Sequence, residues 1–479
     1  MQNGYPTLGL LIDGAWKKES GSGEAVLNPA TEREIAWLPH ATETDLEAAI
    51  DSAERGFRVW RATSAADRAN ILRQAARLMA DRREAIAITI TLEQGKPLGE
   101  ARLEVDRVVE TFDWYAAEAT RAQGRIYPIR GAGIRPRTIP EPVGIVLALT
   151  PWNFPAFMPA RKLAPALAAG CSVILKAAEE TPGSAVAIVR ALEDAGLPRG
   201  VVNLVFGVPA VVSSTILASP KVRKVSFTGS VPVGAEIARL ASANLQKCTL
   251  ELGGHSPVIV FDDVDLVEVA KQTAAFKFRN AGQVCIAPNR FYLHERIYDR
   301  FVEEMCGLAR KVKLGDGTDT ATTMGPMANA RRIGAMEKVM QQSREAGAEI
   351  LHGGERAANR GYFWQPTVVT GLKDDDTPMQ EEIFGPIAPL AKFSDTDEVI
   401  ARANGTRYGL AAYVFSNATA TASRVVEQLE AGTVCVNVLA PAFADVPMGG
   451  KKESGYGYEG GREGLDEFFS VKTVNTQTV

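Results

Sequence analysis

What most constrains this chain is a rhythm that begins at Gly144. Short β-branched and apolar runs, "GIVLALT", "CSVILKA", "VNLVFG" and "KVSFTG", recur there, each followed by a stretch long enough for a helix. A strand without a polar face has to be buried on both sides. The sheet that achieves this is a parallel one covered by helices, built from βαβ units. A second series starts at "SPVIVF" and continues through "QPTVVTGL", "LAAYVFS" and "GTVCVNV". At 479 residues the chain exceeds what one hydrophobic core usually supports. Two α/β domains are therefore expected, with a hinge near "ELGGHSP" (251–257).

Upstream of Gly144 the pattern is helical. Thr42 with Asp45, and Ser64 with Asp67, have the spacing of capping boxes. Ile71, Leu72, Ala75, Leu78 and Met79 give the second of these helices one apolar face. A further helix is expected through "EARLEVDRVVETFDWYAAEAT". Residues 124–142, "GRIYPIRGAGIRPRTIPEP", fit neither rhythm. A disordered linker is one reading, but the β-branched residues favour an extended arm.

Composition excludes several functions. Charged residues make up 23% of the chain, and the formal net charge of −4 leaves no basic stripe for nucleic acid. The opening residues do not read as a signal peptide, and no window approaches the ~18 apolar residues of a membrane span. The cysteines, Cys171, Cys248, Cys285, Cys306 and Cys435, are few, odd in number and scattered. That is no disulfide framework, and it fits a reducing cytoplasm. With 4 histidines and no His/Cys clustering, no metal site is expected.

Three segments could carry covalent chemistry and two more could hold a nucleotide. "RNAGQVC" places Cys285 after a glycine-bearing turn at the presumed start of the second domain. An inert cysteine is the commoner state, and a nucleophile needs a base and an oxyanion donor. "ELGG" ends a strand-like run on Glu251. A carboxylate at such a tip is poorly solvated, so its pKa should rise towards that of a general base. Taken alone, a surface glutamate beside a turn explains it equally. "PWNFP" holds Asn153 between two prolines, as either a rigid oxyanion donor, worth ~10²–10³ in turnover, or an Asx turn. Lys176 and Glu179 lie just past a parallel strand, where doubly wound sheets bind nucleotides. "FTGSVPVG" offers Gly229 and Ser230, with Gly234 opening a helix whose N-terminus could face a phosphate.

In combination these segments resemble the aldehyde dehydrogenase superfamily. The motifs "PWNFP", "LKAAEETP", "FTGS", "ELGG", "GQVC", "EEIFGP", "YGLAAYVF" and "PMGGKKESG" occur in the family's order. The resemblance implies a Rossmann-like NAD-binding domain (1–123 and 143–252) and an α/β catalytic domain (253–447). It further implies a β oligomerisation arm (124–142 and 466–479) and a segment, 448–465, that returns to the NAD-binding domain. It makes Cys285 the nucleophile, Asn153 the oxyanion donor and Glu251 the base that activates water against a thioester. Lys176 and Glu179 would bind the adenosine ribose, and Gly229 and Ser230 the phosphates. Glu382 and Phe384 would contact the nicotinamide ribose, with Trp152 and Leu252 flanking the cofactor.

Glu179 should repel a 2′-phosphate, so NAD is expected in preference to NADP, which remains possible. Arg161 and Arg279 match two positions that hold the far carboxylate in succinate-semialdehyde dehydrogenases. Phe443 stands where such enzymes often place a serine contact, and "CIAPN" lacks the second cysteine of a redox switch. The resulting expectation is a homo-oligomer, dimer or tetramer, that oxidises a carboxylated semialdehyde such as succinate semialdehyde. The alternatives are another acidic or medium-size neutral aldehyde and, behind these, a cysteine hydrolase or a structural relative. A CoA-acylating relative tends to lose the glutamate present here at Glu251.

Overall fold

In the computed structural model, which describes residues 4–19, 22–131 and 133–477, two sheets dominate. The first has eight strands. Its parallel core runs, in spatial order, Val202–Val205, Ser172–Lys176, Ile145–Leu149, Val222–Thr228 and Lys247–Glu251. Ile145–Leu149, Ser172–Lys176 and Val202–Val205 are buried at every position, which is why they carry no polar alternation. From Ile145–Leu149 the chain fills one side of the sheet and then crosses to the other at Val222–Thr228. The loops leaving those two strands diverge in opposite directions, and a crevice opens between them. "PWNFP" and "FTGS" are those loops.

The second sheet has seven strands, ordered Glu349–His352, Thr367–Thr370, Ile387–Phe393, Arg290–His294, Pro257–Val260, Ala411–Phe415 and Thr433–Val436. All pair in parallel except the edge strand Glu349–His352. Glu251 ends a strand of the first sheet and Pro257 begins one of the second, so the expected hinge is the covalent link between them. The segment 448–465 touches both sides. Lys451–Lys452 pair with Tyr408–Gly409, while Gly455–Tyr456 lie antiparallel to Lys247–Glu251.

The helical expectations upstream hold with small differences. Thr42 and Asp45 form a reciprocal capping box on the helix Glu43–Ala62. Ser64 accepts the Asp67 N–H at the start of Ala65–Asp81. The helix Leu98–Glu118 packs along Phe157–Ala169, and both face the crevice. The helix after "FTGS" opens at Val231, not at Gly234. Gly234 has a packing role instead, since a Cβ there would stand 2.4 Å from the side chain of Leu252.

Ile134–Pro142 pairs with Phe469–Gln477 in continuous antiparallel register, forming a separate two-stranded arm. Ile126, Ile129 and Val471 are exposed on it. Ala132, Thr478 and Val479, which the arm was expected to include, lie outside the described residues. Among the described residues no helix is long and apolar enough to cross a membrane.

Candidate active site

Cys285 follows a strained turn. After the helix Leu266–Phe278, Asn280 and Ala281 both hold φ near 51°, and Gly282 has φ +69°. Consecutive left-handed residues are costly for side chains other than glycine, so packing must impose this shape. A Cβ on Gly282 would stand 2.2 Å from the carbonyl oxygen of Gly385, which only glycine avoids. Three outside groups pin the turn. The Asn280 N–H donates to Glu100 at 2.9 Å, and the Asn280 side-chain amide donates to the Asn153 carbonyl at 2.9 Å. Gln283 accepts the Ala328 N–H at 2.9 Å.

A cavity of about 780 Å³ opens at this turn, between the two sheets. Cys285, Glu251 and Asn153 all line it, although they come from three distant segments. Asn153 donates one side-chain N–H to the Gln283 carbonyl at 3.1 Å, which fixes the amide beside the cysteine turn. Its backbone carbonyl accepts from Lys96 at 2.8 Å, and Lys96 is itself paired with the buried Glu104 at 2.5 Å. Glu104 in turn accepts the N–H groups of Ala156 and Phe157, at 2.9 and 3.1 Å. Asn153 therefore stands on a buried, hydrogen-bonded frame.

The electrostatics separate the two reactive groups from their ordinary states. Burial pushes the Cys285 thiol up to about 12, with smaller contributions from Glu382 and Glu251. The sulfur therefore favours the thiol form, and no lowered thiol pKa marks it out. Burial, then the negative Glu459, raises the Glu251 carboxyl well above the usual carboxylate range. Glu459 moves the other way. Lys162 and Arg161 outweigh its burial and hold it as a carboxylate, at 2.6 Å from Lys162 and 2.9 Å from Arg161. Lys162 also donates to Thr228 at 2.7 Å. Sequence reasoning missed Glu459, Lys162, Glu100 and Lys96. No spacing signal links them to Cys285, although Lys162 adjoins Arg161.

The expected cofactor residues divide into two groups. Trp152, Gly229, Ser230, Leu252, Glu382 and Phe384 line the cavity with Cys285. Lys176 and Glu179 lie beyond its lining, at the C-terminal edge of the same sheet, and pair at 2.7 Å. Glu179 also accepts the Gly207 N–H at 3.2 Å. Ser230 makes no side-chain cap bond; with Pro232 lacking an N–H and the Gly234 N–H donating to the Ser230 carbonyl at 2.9 Å, the N–H groups of Val231 and Val233 are left for a ligand. Phe384, with φ +49°, stands edge-on to Trp152 at 5.6 Å between ring centres. Glu382 accepts the Gly254 N–H at 3.0 Å, and burial raises its carboxyl to about 7. A carboxylate pair for ribose hydroxyls, a free helix N-terminus and flat apolar walls form a donor set that fits a dinucleotide.

Both expected substrate arginines reach the cavity, in different states. Arg279 lies between the Phe154 and Phe276 rings, 5.7 and 4.7 Å from their centres. Its buried Nε has no hydrogen-bond partner among the described residues. Arg161 is engaged by Glu459, yet one of its terminal nitrogens is likewise buried and unpartnered. Phe443 lies outside the cavity lining, on the loop whose Leu439–Ala442 stretch forms part of the wall.

The chain matches the model of the aldehyde dehydrogenase family over residues 16–474. It is 42% identical to a 3-sulfolactaldehyde dehydrogenase of Pseudomonas putida, covering 97% of this chain and 96% of the relative. It is 40% identical to the NADP(+) succinate-semialdehyde dehydrogenase GabD of Escherichia coli K12, with 96% of each chain covered. Among solved structures, an NAD+ complex of an aldehyde dehydrogenase from Bacillus cereus superposes with a TM-score of 0.96 at 37% identity. That match covers 98% of this chain and 97% of the other.

Proposed function

The chain belongs to the aldehyde dehydrogenase family, and from that premise we propose that it oxidises an aldehyde bearing a remote anionic group, of the succinate semialdehyde type, with NAD preferred over NADP. One observation carries the substrate reading. A half-buried arginine, Arg279, faces the nucleophile's cavity with a buried, unpartnered Nε donor and aromatic rings on two sides. A buried unpaired donor costs ~1–3 kcal/mol, and a carboxylate supplies the charge-assisted partner it lacks. Arg161 supports the same reading more weakly, because Glu459 already takes up much of its charge.

The chemistry follows from the site's own residues. The Cys285 thiol releases its proton to solvent as the sulfur bonds to the aldehyde carbon. The carbonyl oxygen becomes an oxyanion within reach of the Asn153 amide, whose backbone Lys96 and Asn280 hold still. A nicotinamide held by Trp152, Leu252, Glu382 and Phe384 would supply the hydride acceptor for this carbon, whose C–H bond breaks as the C=O bond re-forms. What remains is a thioester on Cys285. Glu251 then takes a proton from water, the hydroxide adds to the thioester carbon and the C–S bond breaks. Arg161 and Lys162 hold Glu459 anionic beside Glu251, which keeps Glu251 proton-hungry.

The cofactor preference rests on Glu179. Its carboxylate would accept ribose hydroxyls and repel a 2′-phosphate, and Lys176 at 2.7 Å holds it in place. Five free cysteines fit a reducing compartment. The exposed apolar arm residues fit burial against further copies in a homo-oligomer.

A panel of charged and neutral aldehydes, assayed with both nicotinamide cofactors, tests the whole reading. Arg279→Ala should raise KM for succinate semialdehyde about thirtyfold or more, and far less for propanal. Equal effects on the two substrates would remove the anion clamp. A kcat/KM for NADP equal to or above that for NAD would overturn the role given to Glu179. The Pseudomonas relative's name points to a sulfonated aldehyde as a second anionic candidate, and it belongs in the same panel.

A further inference from the structure

Glu100, Leu103, Glu104 and Arg107 recur at helical spacing on Leu98–Glu118 and together form one wall of the Cys285 cavity. The two carboxylates already have work there. Glu100 holds the cysteine turn, and Glu104 holds Lys96 and the loop after Asn153. Arg107 has none in the chemistry described above. Its side chain is 49% exposed, against 4% for Arg161, so it marks the mouth of the cavity while Arg161 marks the interior. Two turns of helix, about 10 Å, separate it from Glu100 at the cysteine turn.

Among the described residues, Glu110 and the Phe443 ring engage the guanidinium directly, and Asp106 acts on it through its charge. Glu110, three residues on, meets one nitrogen at 2.6 Å, an exposed pair of the kind that exchanges readily. The Phe443 ring lies 6.0 Å from the guanidinium carbon. Between mouth and interior the walls are aromatic. Phe157 lies against Arg161 at 5.5 Å, and Phe154 and Phe276 flank Arg279. Flat apolar walls between an inner and an outer cation suit a rigid ring that carries its charge at the far end.

We propose that Arg107 is a specificity-determining residue: with Phe443 beside it, it binds the anionic group of an aldehyde whose charge is carried across a ring-sized apolar spacer. This deepens the anionic-aldehyde reading above and rests on it. Short substrates place their charge at Arg279; longer ones reach Arg107. The neighbouring charges on its own helix that it must outweigh are Glu110, Asp106 and, further in, Glu104 and Glu100.

The test measures KM for 4-carboxybenzaldehyde relative to benzaldehyde with the full-length enzyme and NAD. Arg107→Ala should raise that ratio about tenfold while the kcat ratio moves less than threefold. Arg107→Lys, which keeps the charge but not the fork, should recover part of the loss. A ratio within twofold of the parent, or equal rises for both aldehydes, overturns the inference. Succinate semialdehyde with Arg279→Ala tells the two failures apart. If Arg279→Ala raises KM for succinate semialdehyde far more than for propanal, only the role of Arg107 falls; if it raises both equally, the anionic reading falls with it.

Discussion

Replacing Cys285 with alanine is expected to abolish aldehyde oxidation, with a loss of at least ~10⁴-fold in kcat/KM, because no other thiol lines the cavity. NAD affinity should stay within about threefold of the parent. The residues given to the dinucleotide belong to the first sheet's loops and to "EEIFGP", and the substitution removes a single sulfur from among them. A titration of NAD against both proteins, read by quenching of tryptophan fluorescence with Trp152 in the site, checks this. Parallel loss of NAD binding would mean that Cys285 supports the fold of the site and is not its nucleophile.

Glu251→Gln should stop the reaction at the thioester. The expected trace is a burst approaching one NADH per subunit, followed by a steady rate lower by about 10²–10³. The pH profile gives an independent readout. In the parent, Glu251 has its pKa raised by burial and by Glu459, so at low pH it is protonated and accepts no proton. Turnover should therefore climb with rising pH through that raised pKa, and the climb should vanish in Glu251→Gln. Retention of the same pH limb with full turnover would assign the base to another group, with Glu382 next in line because its carboxyl also sits high, at about 7.

Much of this site was legible in the chain. Cys285, Glu251 and Asn153 each sit at the tip of a strand or in a turn marked by glycine or proline, and turn chemistry is local. The crevice was legible too, since the order of apolar runs already requires a parallel sheet and such a sheet opens at its switch point. Other features left no local trace. The partnership of Glu459 with Arg161 and Lys162 joins a C-terminal segment to the helix Phe157–Ala169. The pairing of Lys96 with Glu104 reads in sequence as two ordinary surface charges, yet both are almost fully buried.

The placement of Gly234 shows the same limit on a smaller scale. Its neighbours mark a helix start to within a few residues, but its reason is the side chain of Leu252, which meets it only in the folded protein.

The sequence by itself determined the two parallel sheets, the hinge between them and the turns that carry the sulfur, the amide and the carboxylate. Strand burial and turn geometry depend on residues close together in the chain. Only the tertiary structure decided which charges face one another, and with them the high thiol, the high Glu251 and the low Glu459. Those states depend on desolvation and on distances of a few ångströms between segments far apart in sequence, and no local pattern encodes them.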